Sequence, residues 1–377
     1  MNITAIICEY NPFHRGHILQ LEEIRHAKGQ ASAIIALMSG STVQRGQLSI
    51  YSKYARAEAA IKCGVNLVLE LPCPYSCGSA EYFARGAISL LDSFCVIDSL
   101  CFGSESGDIV MLSNAAENIR KEGYISAVKT ADSSESHQRC AEAVYRAMFG
   151  SEYPTSPNDI LAVEYLAALK EMKSNIVPFT YCRMPGYTAS GTRAAILSGE
   201  DASDMIPIEA HKIFSKLKPM DETIYSAAAL YVIRNTSRDR LSEFYGMNGG
   251  VSGYLKNNAA SAADLSELIS LCTCRKYSSS RLRRACLAAL LGIKSEDMKK
   301  PPLFANLLAA DRLGREILSD MRKKSKVPII TKNADSHLLS PEAKKQYLLC
   351  RRADELFALS EREAPRKYIC TPPYIKK

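Results

Sequence analysis

Between Asn2 and Met184, short apolar runs alternate with segments of helical periodicity, and few folds accommodate that alternation. "NITAIIC" (Asn2–Cys8), "SAIIALMSG" (Ser32–Gly40), "VNLVLELP" (Val65–Pro72), "VIDSLCFG" (Val96–Gly103) and "NIVPFTYCRM" (Asn175–Met184) read as strands. The second is apolar almost throughout, as expected of a strand covered on both faces. "HILQLEEIRHAKG" sets Ile18, Leu21 and Ile24 on one helical stripe with Gly29 as its stop, and "SKYARAEAAIKCG" has Ser52 as N-cap and Gly64 just past its end. "SAEYFARGAISLLDSF" and "PNDILAVEYLAALKEM" complete the helices. Strands joined by helices of this length pair in parallel through right-handed crossovers, which predicts an α/β, Rossmann-like parallel sheet.

After about residue 200 the strand pattern fades. "DETIYSAAALYVIRN", "AADLSELISLCTC", "SSSRLRRACLAALLGI", "LFANLLAADRLGREIL" and "EAKKQYLLCRRADELFAL" all read as helices. A chain of 377 residues has room for two cores. The expectation is therefore an α/β domain over 1–205 and a mainly helical domain over 206–377.

The thirteen cysteines are odd in number and scattered through apolar runs, so reduced thiols are expected rather than a disulfide framework. Cys73 with Cys77 and Cys272 with Cys274 are the close pairs, and both read as inert thiols rather than half of a zinc site. The start lacks a basic n-region and meets Glu9 at once, unlike a secretory signal. No stretch approaches the roughly 18 apolar residues of a membrane span. The expected setting is cytoplasmic. A net charge of +8 permits a polyanionic partner without requiring one.

Ligands of open α/β sheets bind beyond the C-terminal ends of the strands. "EYNPFHRGH", "SGSTVQRGQ", "FGSESGD" and "RMPGYTASGTR" all fall at that edge. In the first, the strand-to-helix turn aims backbone N–H groups and the helix's positive end at an anion. His14 and His17 add imidazole donors, Gly16 lets the backbone approach closely, and Pro12 restrains the turn. From the residues alone this is a phosphate site.

"NPFHRGH" resembles the H-x-G-H motif of the nucleotidyltransferase superfamily that includes class I aminoacyl-tRNA synthetases. The ordered series "EYNPFHRGH", "MSGSTVQRG", "ELP", "FARGA", "FGSESGD" and "SPNDILAVEY" resembles the tRNA(Met) cytidine acetate ligase family, with a weaker continuation in "KYSSSRLRRACLAALLGI". The resemblance implies activation of acetate by ATP as acetyl-adenylate, then transfer to N4 of the wobble cytidine of elongator tRNA(Met). It implies His14 and His17 as the catalytic pair that steadies the phosphates. The backbone through Ile7, Cys8, Glu9, Tyr10, Asn11, Pro12, Phe13, His14, Arg15, Gly16 and His17 would line ATP. Gly103, Asn158, Arg183, Ser190 and Thr192 join the ATP-binding set through the same resemblance. In isolation Gly103 reads as a turn glycine, Asn158 as a helix cap and Arg183 as an edge charge. The superfamily's second-motif arginine falls on Ala195, so Arg183 or Arg193 has to supply that charge.

Ser39, Gly40, Gln44 and Arg45 either line the acetate or cytidine pocket or form a surface turn, and Lys53 and Arg56 read as a solvated helix face. Between Cys272 and Lys300, Arg275, Lys276, Arg281, Arg283, Arg284, Lys294, Lys299 and Lys300 face only Glu296 and Asp297. With Tyr277 they suit RNA, and Lys276, Arg281, Arg283 and Arg284 are the tRNA-binding candidates. ATP is the expected co-substrate. Mg²⁺ is possible with it, although no acidic cluster demands one. Two other readings stay open: a small-molecule adenylyl- or cytidylyltransferase, and a non-catalytic RNA-binding protein on the same fold.

Overall fold

The computed structural model describes residues 2–131, 134–184, 186–362 and 364–376. The N-terminal half runs β1 (Ile3–Cys8), α1 (Arg15–Lys28), β2 (Ala33–Ser39), a hairpin of β3 (Thr42–Val43) and β4 (Gln47–Leu48), α2 (Lys53–Lys62), β5 (Leu67–Leu71), α3 (Ala80–Ser93) and β6 (Ser99–Ser104). Helices α4 (Ile109–Asn118), α5 (Glu122–Thr130), α6 (His137–Phe149) and α7 (Pro157–Glu171) lead to β7 (Val177–Cys182) and α8 (Ala189–Ser198). There follow α9 (Ile208–Phe214), α10 (Glu222–Asn235), α11 (Arg238–Ser242), α12 (Val251–Ala259), α13 (Leu265–Cys272) and α14 (Ser279–Leu291). The chain ends with β8 (Ala305–Ala310), α15 (Arg312–Lys324), β9 (Ile329–Ile330), α16 (Pro341–Ser360), α17 (Pro365–Ile369) and β10 (Tyr374–Ile375).

The main sheet has the order β10-β8-β5-β2-β1-β6-β7, with β9 also on β8. Strands β5, β2, β1, β6 and β7 are mutually parallel, as the alternating sequence predicts. Strand β2 shows why its sequence is apolar throughout. Ile35 and Leu37 enter the core under α3 and α7, while Ile34, Ala36 and Met38 enter the opposite core with Leu21 and Ile24 of α1. Period-two alternation thus feeds two cores rather than one core and water.

The reading of "LFANLLAADRLGREIL" as one helix is corrected. Ala305–Ala310 is β8, antiparallel to β5 with Leu69 opposite Leu307, and the helix starts only at Arg312 behind Asp311. A run of Leu and Ala lacks the β-branched residues that mark a strand, and the free edge of β5 overrides its helical propensity. The missed signal was Asp311, whose carboxylate accepts from Gly314 N at 2.8 Å as an N-cap. The C-terminal half therefore returns three strands to the sheet begun by the N-terminal half.

Sheet order reverses at β1: β2 and β5 build out on one side, β6 and β7 on the other. The C-terminal ends of β1 and β6 thus flank the crevice where such sheets bind ligands.

Candidate active site

The loop leaving β1 turns at Tyr10, which has a left-handed φ of +45°, and passes through a cis Asn11–Pro12 peptide. Tyr10 and Phe13 are buried and pack on the His17 ring at 4.8 and 5.2 Å between centroids, so their side chains build the wall behind the histidines. Asn11 is also buried, its Oδ1 accepting from Ile50 N at 2.7 Å. Asn11 Oδ1 is thereby committed to the protein, and the Tyr10 hydroxyl is buried without a hydrogen-bond partner among the described residues.

His14 is the N-cap of α1. Its Nδ1 accepts from Gly16 N at 3.1 Å, while His17 Nδ1 accepts from His14 N at 3.0 Å. The rings stack with centroids 3.8 Å apart. An Nδ1 that accepts a backbone N–H carries no proton, so each neutral ring holds its proton on Nε2 and has that single donor left for a ligand. Gly16 makes room: a Cβ there would stand 2.9 Å from His14 Cε1. The first turn of α1 holds no acidic residue, leaving its positive end unopposed.

Burial lowers the His14 pKa to about 4, helped by Arg183 and Arg193, and burial lowers that of His17 well below 6.5, helped by His14 and Arg183. Both rings are thus uncharged donors at neutral pH. The folded chain resists a proton that the unfolded chain accepts between pH 6.5 and about 4. Stability accordingly falls as pH drops through 6.5, with the His14 share complete below about 4 and worth about 3 kcal/mol. Urea midpoints at pH 7 and 4.5 should show that loss, and His14→Asn should remove this component of it.

Across the crevice, a Cβ on Gly103 would meet Arg183 Cγ at 2.7 Å and the Tyr181 hydroxyl at 2.8 Å, so Gly103 lets the Arg183 stem lie over β6. Asn158, at the start of α7, donates from Nδ2 to Glu105 Oε1 at 2.6 Å, and Glu105 Oε2 accepts from the N–H groups of Asn158 and Asp159 at 3.1 Å. The loop after β6 is thereby tied to the start of α7. Near α8, Ser190 is exposed, but the buried Thr192 spends its hydroxyl on Thr188 O at 3.0 Å. Ala195 faces the core, whereas Arg193 reaches back to Asn11 O at 2.7 Å. Arg183 and Arg193 both act electrostatically on His14.

The reading of Lys53 and Arg56 as a solvated face is corrected: they are 2% and 0% exposed. The five N–H donors of Arg56 go to the carbonyls of Tyr51, Glu9, Ser39 and Gly40 and to Ser49 Oγ, clamping the ends of β1 and β2 together. Lys53 Nζ meets Glu70 at 3.0 Å and Asp354 at 2.8 Å. Ser39 and Gly40 are buried beside this network, Gln44 is half-buried and Arg45 exposed.

The basic segment lies close by. Gly46, at the hairpin turn, has φ +77°, and a Cβ there would stand 2.4 Å from Arg284 N, so the turn rests on the backbone of α14. Arg281 and Lys276 lie over the Tyr277 ring at 5.3 and 5.7 Å, but Tyr277 is buried with its hydroxyl donating to Gly249 O, so it braces the arginines instead of offering a stacking face. Arg281 and Arg283 are half-exposed, while burial lowers the Arg284 pKa. Among the described residues no two cysteines are joined in a disulfide. Among the described residues no group of three or more His, Cys, Asp and Glu side chains could hold a metal ion. No helix among the described residues is long and apolar enough to cross a membrane.

A family model described as HIGH Nucleotidyl Transferase matches residues 1–368. A protein of Syntrophotalea carbinolica named tRNA(Met) cytidine acetate ligase is 34% identical over 364 residues, covering 88% of this chain and 85% of its own. One of the same name from Caldanaerobacter subterraneus subsp. tengcongensis is 36% identical over 362 residues, covering 89% of each. Among solved structures, Thermotoga maritima TmcAL bound with α-thio ATP superposes over 100% of both chains with a TM-score of 0.91 at 26% identity.

Proposed function

The chain belongs to the tRNA(Met) cytidine acetate ligase family, and from that premise we propose that it activates acetate with ATP and acetylates N4 of the wobble cytidine of elongator tRNA(Met). In the first step an acetate oxygen attacks the α-phosphorus and pyrophosphate leaves. In the second, the cytidine amine attacks the acetyl carbon and AMP leaves. The first step requires no protein nucleophile, only alignment and stabilisation of charge on the phosphates. The observation that carries the reading is the locked pair of Nε2 donors on His14 and His17 at the end of β1, over the unopposed N-terminus of α1. Arg183 and Arg193 add positive charge beside them. Gly103, Asn158 and Ser190 lie at the ends of β6, α7 and α8, where the family pattern sets nucleotide contacts.

The hairpin that rests on α14 supports tRNA as the acceptor, because it joins a basic helix start to the crevice. Lys276, Arg281, Arg283 and Arg284 form that basic surface. We take the setting to be the cytoplasm, where ATP, tRNA and free thiols coexist.

Incubation with ATP, labelled acetate and elongator tRNA(Met) should yield labelled N4-acetylcytidine at the wobble position. Pyrophosphate release with a small acceptor and no RNA product would favour the adenylyltransferase alternative, and absence of ATP binding would favour the non-catalytic one. Replacing Arg281 or Arg283 by Ala should weaken tRNA binding and lower the slope of log K against log salt by about 1 each. Filter binding across a salt series measures this, and an unchanged slope would remove those residues from the interface.

A further inference from the structure

Glu9 lies one residue beyond β1, between the histidine loop and the β3–β4 hairpin. Its Oε1 accepts from Gln44 N at 2.6 Å, and its main-chain carbonyl accepts from Arg56. Arg45, Arg56 and Arg193 surround the carboxylate, yet among the described residues none closes an ion pair with it. Arg56 spends its donors on the carbonyls of β1 and β2 and on neighbouring oxygens, and Arg193 reaches Asn11 O. Glu9 is half-buried, and among the described residues the hydrogen bond to its carboxylate falls on Oε1, so Oε2 is open to a ligand. Burial raises the Glu9 pKa above the ordinary carboxylate range, and the Gln44 hydrogen bond and the arginines only partly oppose it.

A carboxylate is out of place in a crevice meant for ATP, acetate and an RNA backbone, all of them anions. The acceptor base is different, because the reacting group of cytosine is a hydrogen-bond donor, the exocyclic N4 amine. Carboxylates are the side chains that accept from that amine. The hairpin holding Oε1 is also the element resting on the basic start of α14, so RNA lying along α14 is led toward Glu9.

We propose that Glu9 is a catalytic residue of the transfer step: its free carboxylate oxygen accepts an N4–H of the target cytidine and takes the proton as the amine attacks. The N4–C bond forms, the bond from the acetyl carbon to the AMP phosphate oxygen breaks, AMP leaves with the electron pair, and the proton ends on Glu9. This rests on the acetate ligase reading given under Proposed function.

The two half-reactions separate this role from a merely structural one. Acetate-dependent ATP–pyrophosphate exchange without tRNA reports adenylation, and single-turnover transfer from enzyme-bound acetyl-AMP to tRNA reports the second step. Glu9→Gln keeps the size and an acceptor for Gln44 N but presents an amide N–H to the cytosine amine. Transfer should fall about 100-fold or more, at least ten times further than exchange falls. Wild-type transfer should rise with pH through the elevated Glu9 pKa and then level off, whereas the variant should lack that rise. Equal losses in both half-reactions, or a variant that keeps the wild-type pH profile, would overturn the proposal. A wild-type protein giving neither exchange nor acetylcytidine would instead sink the ligase reading, and this proposal with it.

Discussion

His17→Asn is expected to slow acetyl-AMP formation about a hundredfold or more while leaving the fold intact. The two functions of the ring are separable. Nδ1 serves the protein by accepting from His14 N at 3.0 Å, and Nε2–H is left for the ligand. The Asn Oδ1 can replace the first, but nothing in Asn reaches the position of the second. A donor aimed at charge that develops on a phosphate is worth about 3 kcal/mol in the transition state. His14→Asn should behave in the same way, since Asn is a good N-cap and keeps an acceptor for Gly16 N. ATP–pyrophosphate exchange beside a thermal melt measures both consequences. A rate within tenfold of wild type, or a loss of rate matched by a loss of fold, would remove the imidazoles from the chemistry.

Lys53→Met is expected to have the largest effect on stability, about 3–5 kcal/mol, because it strands two buried carboxylates. Glu70 and Asp354 are 2% and 4% exposed and share one ammonium. Asn306 donates to Glu70 at 2.8 Å and Ser41 to Asp354 at 2.6 Å, which cannot replace a positive charge. Burial alone would lower the Lys53 pKa, but Asp354 and Glu70 outweigh it and the net direction is upward. Burial raises the Glu70 pKa, with Lys53 opposing, so without Lys53 it should rise further. A carboxyl whose folded pKa exceeds its unfolded value binds protons preferentially in the folded state. The deficit of the variant should therefore be greatest at neutral pH and shrink as pH falls toward 5. Urea unfolding at pH 7.5 and 5.5 tests the sign, and Lys53→Met combined with Glu70→Gln and Asp354→Asn should recover much of the loss. A single-variant deficit below about 1 kcal/mol would mean that the cluster does not join α16 to the sheet energetically.

Both predictions concern polar residues near the ends of the strands, yet they were not equally legible. The histidines could be read from sequence because a strand, a turn with Gly16 and a helix start are local, and their order already implies an anion site. Lys53 and Arg56 were misread for the opposite reason. A lysine and an arginine in the first turn of a helix look solvated unless their partners are known, and Asp354 is 301 residues from Lys53. Arg56 relies on backbone carbonyls, which carry no residue-specific signal at all. Tyr277 was legible as a neighbour of the basic residues, but whether it serves RNA or spends its hydroxyl on the Gly249 carbonyl depends on how the turn before α12 meets the loop before α14.

The sequence by itself determined the parallel α/β core, the strand-to-helix turn with its paired histidines, and most of the helices after residue 200, because each depends on periodicity or spacing within one short segment. Only the tertiary structure decided that Ala305–Ala310 pairs with β5, that Arg193 rather than Ala195 reaches the histidine loop, and that Glu9 is held by the hairpin resting on α14. Those outcomes depend on which polar and apolar groups meet across long separations. Burial energies and hydrogen-bond partners that decide them exist only once the chain has closed.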